Sequence, residues 1–166
     1  MIVLGIDPGI ANTGYGVVTS SGSRLQGVEF GVIETPASAP AEARLAEIHA
    51  DVGELMRRFD VDAVAVEDLY FGANVVSAMA VGQARGVVLL AAGQRGVPVR
   101  AYTPQQVKAA VCGTGRADKQ QVGRMVARLL GLSSAPRPDH AADALAVALC
   151  EVNRAPLAGA IVEATA

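Results

Sequence analysis

Five of the first six residues are apolar and the seventh is Asp7, so the chain opens as a buried strand with a carboxylate at its tip. Pro8 has no N–H to give a sheet ladder and Gly9 tolerates positive φ, which ends the strand there. Two more β-prone runs follow at residues 14–20 and 24–33, with Gly31 as the point of a bulge or twist. Short turns between them predict an antiparallel meander. The period then changes. Leu45, Ile48, Val52, Leu55 and Met56 recur at helical spacing over 41–59, while Glu42, Glu47, Asp51, Glu54 and Arg58 fill the other faces. Residues 61–67 return to a strand that is apolar on both faces, as a central strand is, and end on Glu67.

Asn74 is the expected N-cap of a long helix to residue 94, in which Ala78, Gly82 and Gly86 recur every four residues and form a smooth face. Helical glycines cost about 1 kcal/mol each relative to alanine. That cost is rational where another backbone approaches, either the sheet or the same helix of a second subunit. Residues 97–101 form a fifth strand. Thr103-Pro104-Gln105-Gln106 has the residues of a capping box, with proline at the first helical position, and starts a helix to residue 111. Gly113-Thr114-Gly115-Arg116 breaks it, either to aim backbone N–H groups and Arg116 at a phosphate or merely to turn the chain. Helices follow at 118–130, stopped by Gly131, and at 139–152, with a loop at 133–138 between them.

Three hairpin-linked strands followed by two that need crossover helices predict an α/β fold. Its sheet is mixed and five-stranded, three strands antiparallel and two parallel, flanked by helices. The expectation is a single domain over 1–153 and a flexible tail over 154–166. With 166 residues and 51% hydrophobic content the chain is long enough to bury a sizeable core. The most apolar long stretch, 75–94, contains Gln83 and Arg85 and falls short of the ~20 clean apolar residues a membrane span needs. No charged leader with a cleavage site is visible, and two cysteines, Cys112 and Cys150, are too few for a disulfide framework. A cytoplasmic protein with buried thiols is expected.

Net charge is −2, which by itself argues against a polyanionic partner. Its distribution argues the other way. From Glu29 to Asp68 there are ten acids and three bases, whereas from Arg95 to Arg137 there are eight bases and one acid, Asp118. Both lysines of the chain, Lys108 and Lys119, lie in the basic segment. Such a division suits a polyanion meeting one face. Tyr70 and Phe71 sit in a loop after the fourth strand, where they either stack on bases or anchor the loop.

The costliest residues are acids. Asp7 ends a buried strand, Glu67 ends a central one, and Asp143 lies among alanines and Leu145 on the last helix, one turn from His140. Asp139 reads as that helix's N-cap. A shared divalent cation would relieve the three carboxylates. Oxygen ligands suit Mg²⁺ or Mn²⁺, and an imidazole shifts the preference toward Mn²⁺.

The ordered motifs carry a resemblance. They are Gly5-Ile6-Asp7-Pro8-Gly9 with Thr13-Gly14-Tyr15-Gly16-Val17, Val66-Glu67, Gly82-Gln83-Ala84-Arg85-Gly86, and Thr103-Pro104 through Val107-Lys108. Gly113-Thr114-Gly115-Arg116-Ala117-Asp118-Lys119 and His140-Ala141-Ala142-Asp143-Ala144-Leu145-Ala146 complete the set. Together they resemble the RuvC-type crossover junction endodeoxyribonucleases, the Holliday junction resolvases of the RNase H-like superfamily. The resemblance implies a metal-dependent nuclease of DNA recombination and repair. Paired symmetric nicks in strands of like polarity would leave 5′-phosphate and 3′-hydroxyl ends. It implies two metal ions held by Asp7, Glu67, Asp143 and His140, the last standing where many members have Asp and acting directly or through a water. It also implies DNA contacts from Lys108, Lys119 and the Tyr70-Phe71 loop, a homodimer built on the smooth helix face, and a RuvA–RuvB branch-migration complex as partner. Arg116, in the Gly-rich turn, joins the expected DNA contacts. Three other readings compete. An actin-like or sugar-kinase-type ATPase shares the first strand turn, but 166 residues lack its second lobe. An RNA-processing nuclease of the same fold and a non-catalytic junction-binding scaffold are the others, the last disfavoured by the full set of acids.

Overall fold

Period-two alternation along the strands decides what each side of the sheet can pack against. The computed structural model of the chain describes residues 1–68 and 75–164. Its sheet runs in the order β3-β2-β1-β4-β5. β1 (Ile2–Asp7), β2 (Asn12–Ser21) and β3 (Arg24–Glu34) form the antiparallel meander. β4 (Ala63–Glu67) and β5 (Val99–Tyr102) add in parallel on the other side of β1. This is the mixed five-stranded sheet that the sequence predicts.

Leu4, Ile6, Val17, Val64 and Val66 point to one side, where they are buried under α1 (Ala41–Phe59) and α2 (Val75–Gln94). The alternate positions, Gly5, Gly14, Gly16 and Ala65, are small. Over them lie α3 (Pro104–Cys112), α4 (Lys119–Leu130) and α5 (Asp139–Ala164), with Val3 and Val18 in the same core. The small residues let α5 lie almost on the sheet backbone. A Cβ on Gly5 would run into the carbonyl oxygen of Ala144 and come within 2.8 Å of the Ala148 nitrogen; one on Gly14 would meet the His140 carbonyl; one on Gly16 would stand 2.7 Å from Leu145 Cγ.

Helix ends follow their local chemistry. The capping box at Thr103 and Gln106 forms as expected, and a second one, Asp118 with Gln121, starts α4. Gly113 and Gly131 end these helices at φ 74° and 67°, where a side chain is disfavoured.

Several expectations shift. The bulge is not at Gly31: Val17 pairs with Glu29 and Val18 with Gly27, so Val28 is the extra residue. Gly31 instead makes room for the Tyr15 ring, whose hydroxyl would lie 2.9 Å from a Cβ there. Gly9 is absent from the positive-φ glycines; a Cβ on it would come 2.5 Å from the Asn12 carbonyl, so close approach is its reason. The last helix, expected to end near residue 152, continues to Ala164. Asp139 opens α5 but does not cap it; the first helical N–H groups, of Ala141 and Ala142, reach the Pro138 carbonyl. The Asn74 cap and the aromatic pair Tyr70 and Phe71 lie outside the described residues. One buried acid went unanticipated: Glu151, 4% exposed, accepts the Tyr102 hydroxyl and pairs with Arg100 Nε at 3.3 Å, tying α5 to the edge strand β5.

The crossing of α5 makes a direct prediction. Gly5→Ala should destabilise the protein by about 3 kcal/mol or more, the upper end of overpacking penalties, because backbone atoms of α5 cannot step aside. Gly22→Ala, at φ 60° with no atom within 4 Å, should cost about 1 kcal/mol. Urea unfolding of both variants checks the contrast, and equal losses would refute a tight α5 crossing.

Candidate active site

The alternation that sends Gly5 toward α5 sends Asp7 the same way, one pleat further along. In β4 it sends Ala65 and then Glu67 to that side. β1 and β4 run parallel with Ile6 beside Val66, so the two carboxylates emerge together at the carboxyl end of the central strands. The Pro8-Gly9 turn leaves Asp7 clear of the ladder, and the buried Thr13 hydroxyl fixes the turn by donating to the Gly9 carbonyl at 2.6 Å. Because α5 starts over Gly14, its first turns set His140 and Asp143 above these acids.

The close contacts are specific. His140 Nδ1 lies 2.7 Å from Asp7 Oδ2. Lys119 Nζ, from the start of α4, lies 3.0 Å from Asp143 Oδ2 and 3.4 Å from Asp139 Oδ2. Glu67, Asp143, Lys108 and Lys119 line one open cavity of about 190 Å³, floored by Pro104, Val107 and Val147. The structure therefore gathers Asp7, Glu67, His140, Asp143, Lys108 and Lys119. Arg116 stands apart, in a shallow groove with Thr103, Gln105 and Thr114. Asp139 joins the cluster through Lys119, a contact that its expected capping role hid. The basic run hinted at Arg124 and Arg137, which flank the site, but no motif singled them out.

The cluster has too little positive charge. Burial, with repulsion from Asp7 and Asp143, pushes the Glu67 carboxyl up to about 7, against the weaker pull of Lys119 and Lys108. Burial also raises Asp7, with repulsion from Asp143, although the His140 hydrogen bond draws it back. Burial opposes the charge on Lys119, but hydrogen bonds and attraction from Asp143, with Asp139, outweigh it and raise its pKa. Hard oxygen donors from three elements and one imidazole, left electrostatically unsatisfied, have the chemistry of a divalent-cation site. Among the described residues, no three of these side chains converge closely enough to close on one ion; His140 and Lys119 hold the carboxylates in their place.

The family model for crossover junction endodeoxyribonuclease RuvC matches residues 3–151. A protein of that name from Rubrobacter xylanophilus is 56% identical over 149 residues, covering 90% of this chain and 83% of that one. Another from Moorella thermoacetica is 52% identical over 156 residues, covering 94% and 93%. Among solved structures, Thermus thermophilus RuvC in complex with Holliday junction substrate superposes with a TM-score of 0.91 at 46% identity, covering 95% of this chain and 96% of that one.

The charge imbalance predicts a pH dependence. Glu67 has a folded-state pKa of about 7 against an ordinary 4.5, so its proton favours the folded protein. That contribution is complete below about 4.5 and lost as pH rises through about 7. Without divalent cations, Glu67→Gln should therefore be increasingly more stable than the parent between pH 5 and 8. Melting temperatures across that range check it; a constant gap would refute the strained carboxyl.

Proposed function

The chain belongs to the crossover junction endodeoxyribonuclease RuvC family, and on that premise we propose that it resolves four-way DNA junctions by hydrolysing a phosphodiester in each of two strands of like polarity. One observation carries the reading: Glu67 and Asp143 line an open cavity with Lys108 and Lys119, and Glu67 is pushed to about 7 by burial and by repulsion from Asp7 and Asp143.

Asp7, Glu67, Asp143 and His140 would hold two divalent ions, Mg²⁺ or Mn²⁺. Bound there, the ions supply Lewis-acid chemistry, activating the attacking water and stabilising the leaving 3′ oxygen. The remaining work falls to this chain's side chains. His140 fixes the Asp7 carboxylate through Nδ1 and is the softer donor of the set, which favours Mn²⁺. Lys108 faces the cavity beside Glu67 and offers a point charge to the scissile phosphate. Lys119 pairs with Asp143 and is placed to exchange that carboxylate for a phosphate. Arg116 serves a more distant part of the backbone, and Tyr70 and Phe71 are assigned contacts with the junction by the family resemblance alone. Nicks of this kind leave 5′-phosphate and 3′-hydroxyl ends, which a ligase can seal.

Two nicks need two sites, and α2 supplies a face for a homodimer. Met79 and Leu90 are 64% and 55% exposed on it, and among the described residues no atom lies within 4 Å of a Cβ built on Gly86 between them. Such a glycine suits the close approach of a second helix. A RuvA–RuvB branch-migration complex is the expected partner on the junction. The nuclease unit is residues 1–153, as one domain.

A synthetic mobile four-way junction tests the reading. Symmetric nicks should appear with Mn²⁺, more slowly with Mg²⁺, and not without a divalent ion; equal rates would remove the role given to His140. Asp7→Asn should lose cleavage by at least about 10³-fold, the scale of removing a central electrostatic group, and still bind the junction. Cleavage at the parent rate would sink the metal-site assignment. Leu90→Asp should yield monomers by sedimentation and single, unpaired nicks; an intact dimer would mean that α2 is not the interface.

A further inference from the structure

A second, wider opening adjoins the acidic cluster. α4, the 133–138 loop and the first turns of α5 border an open cleft of about 450 Å³. Arg124 stands on its α4 wall and Arg137 on its loop wall, while Lys119, Asp139 and Asp143 form the end shared with the acidic cluster. Both arginines are exposed, and among the described residues neither pairs with a carboxylate. The two acids in the cleft are already engaged by Lys119.

The walls are packed. Pro136 is buried, Gly123 on α4 is buried, and a Cβ on Gly123 would lie in ordinary contact, 3.6 Å, with the Ala135 methyl. The loop therefore lies against the helix and carries Arg137 on a seated segment. Arg124 and Arg137 line one cleft from different elements without a carboxylate partner among the described residues, and a guanidinium's fork of N–H donors suits a phosphate.

We propose that Arg124 and Arg137 clamp a backbone phosphate of the cleaved strand, away from the scissile one, and so set that strand's path out of the acidic cluster. The proposal rests on the nuclease reading. Asp143 and Lys119 lie at the boundary of both openings, so a strand whose scissile phosphate faces Glu67 continues past Lys119 into this cleft. A clamp there adds affinity and also orients the scissile bond, since holding a flanking phosphate removes the strand's freedom to rotate at the site.

The test measures binding of a four-way junction from 50 to 200 mM salt in the Asp7→Asn background, which holds the substrate uncut. Arg124→Ala with Arg137→Ala should lower the slope of log affinity against log salt by roughly 0.9, the value of one phosphate contact, and each single change by less. Arg128→Ala is the control, removing the same charge one turn further along α4 and outside the cleft. It should leave the slope unchanged. A scan of single methylphosphonate linkages along the cleaved strand adds position: one flanking linkage should weaken the parent several-fold and leave the double variant unaffected. An unchanged slope in the double variant, an equal drop with Arg128→Ala, or no linkage that loses its effect would overturn the clamp. Should the unsubstituted protein neither bind nor nick the junction, the nuclease reading falls first; should it do both while the arginine variants match it, the clamp alone falls.

Discussion

The structure depends on how closely α5 can lie on the sheet. Helices usually pack on sheets through a layer of side chains. Here the layer is missing on the sheet side, because Gly5, Gly14 and Gly16 leave the strands bare where α5 crosses. Main chain meets main chain, and the crossing becomes a fixed registration. Gly14 sits under His140 and Gly5 under Ala144, so the helix can neither slide nor roll without a clash. Asp7 pairs across the ladder with Gly14, so the registration that fixes His140 also fixes what faces Asp7. Further along, Glu151 on α5 binds Tyr102 and Arg100 of β5, a second anchor two turns beyond Asp143. Between the two anchors the acidic cluster has little freedom.

That rigidity has an electrostatic consequence. Three carboxylates held beside one another, half out of water, cannot all ionise cheaply, and the raised Glu67 records this. Flexible side chains would relieve the repulsion by swinging apart; these are pinned by two strand ends and a helix. The cations present are unequal to the task. His140 serves Asp7, Lys119 serves Asp143 and Asp139, and among the described residues Glu67 has no ion pair, only the weaker pull of Lys119 and Lys108. The same preorganisation that sets the carboxylates against one another makes the cluster receptive to positive charge.

Much of this was legible in the sequence, and the reason is local. Asp7 before Pro8-Gly9, Glu67 at the end of an apolar run and the Thr103-Pro104 cap are short-range signals, and each landed where expected. The sheet topology followed from turn lengths. What escaped depends on contacts distant in the chain. Glu151 reads as an ordinary helix acid until Tyr102 is brought beside it. Arg124 and Arg137 belong to a basic run, and only the folding of the 133–138 loop against Gly123 brings them to one cleft. The glycines at 5, 14 and 16 were visible as part of a motif, but their purpose appears only once α5 is laid across them. Gly9 and Gly31 were misjudged for a related reason: each was explained by backbone freedom, whereas each is small because a neighbouring atom occupies the space.

The layers also resolve the puzzle of net charge. The acids Glu42, Glu47, Asp51 and Glu54 lie on α1, behind the sheet. Lys108, Lys119 and Arg124 lie on α3 and α4, lining the openings at the acidic cluster. A sheet only one residue thick separates them, and α1 and α2 add a further helix layer. At physiological ionic strength the Debye length is about 8 Å, so charges on the back layer are largely screened from anything approaching the front. The net value of −2 then says little about what the protein meets, because no partner experiences the sum. It experiences a basic face with one acidic depression in it. A polyanion drawn to the former would be repelled by the latter unless cations occupied it, so on the proposed reading the arrangement of layers would couple binding to metal loading.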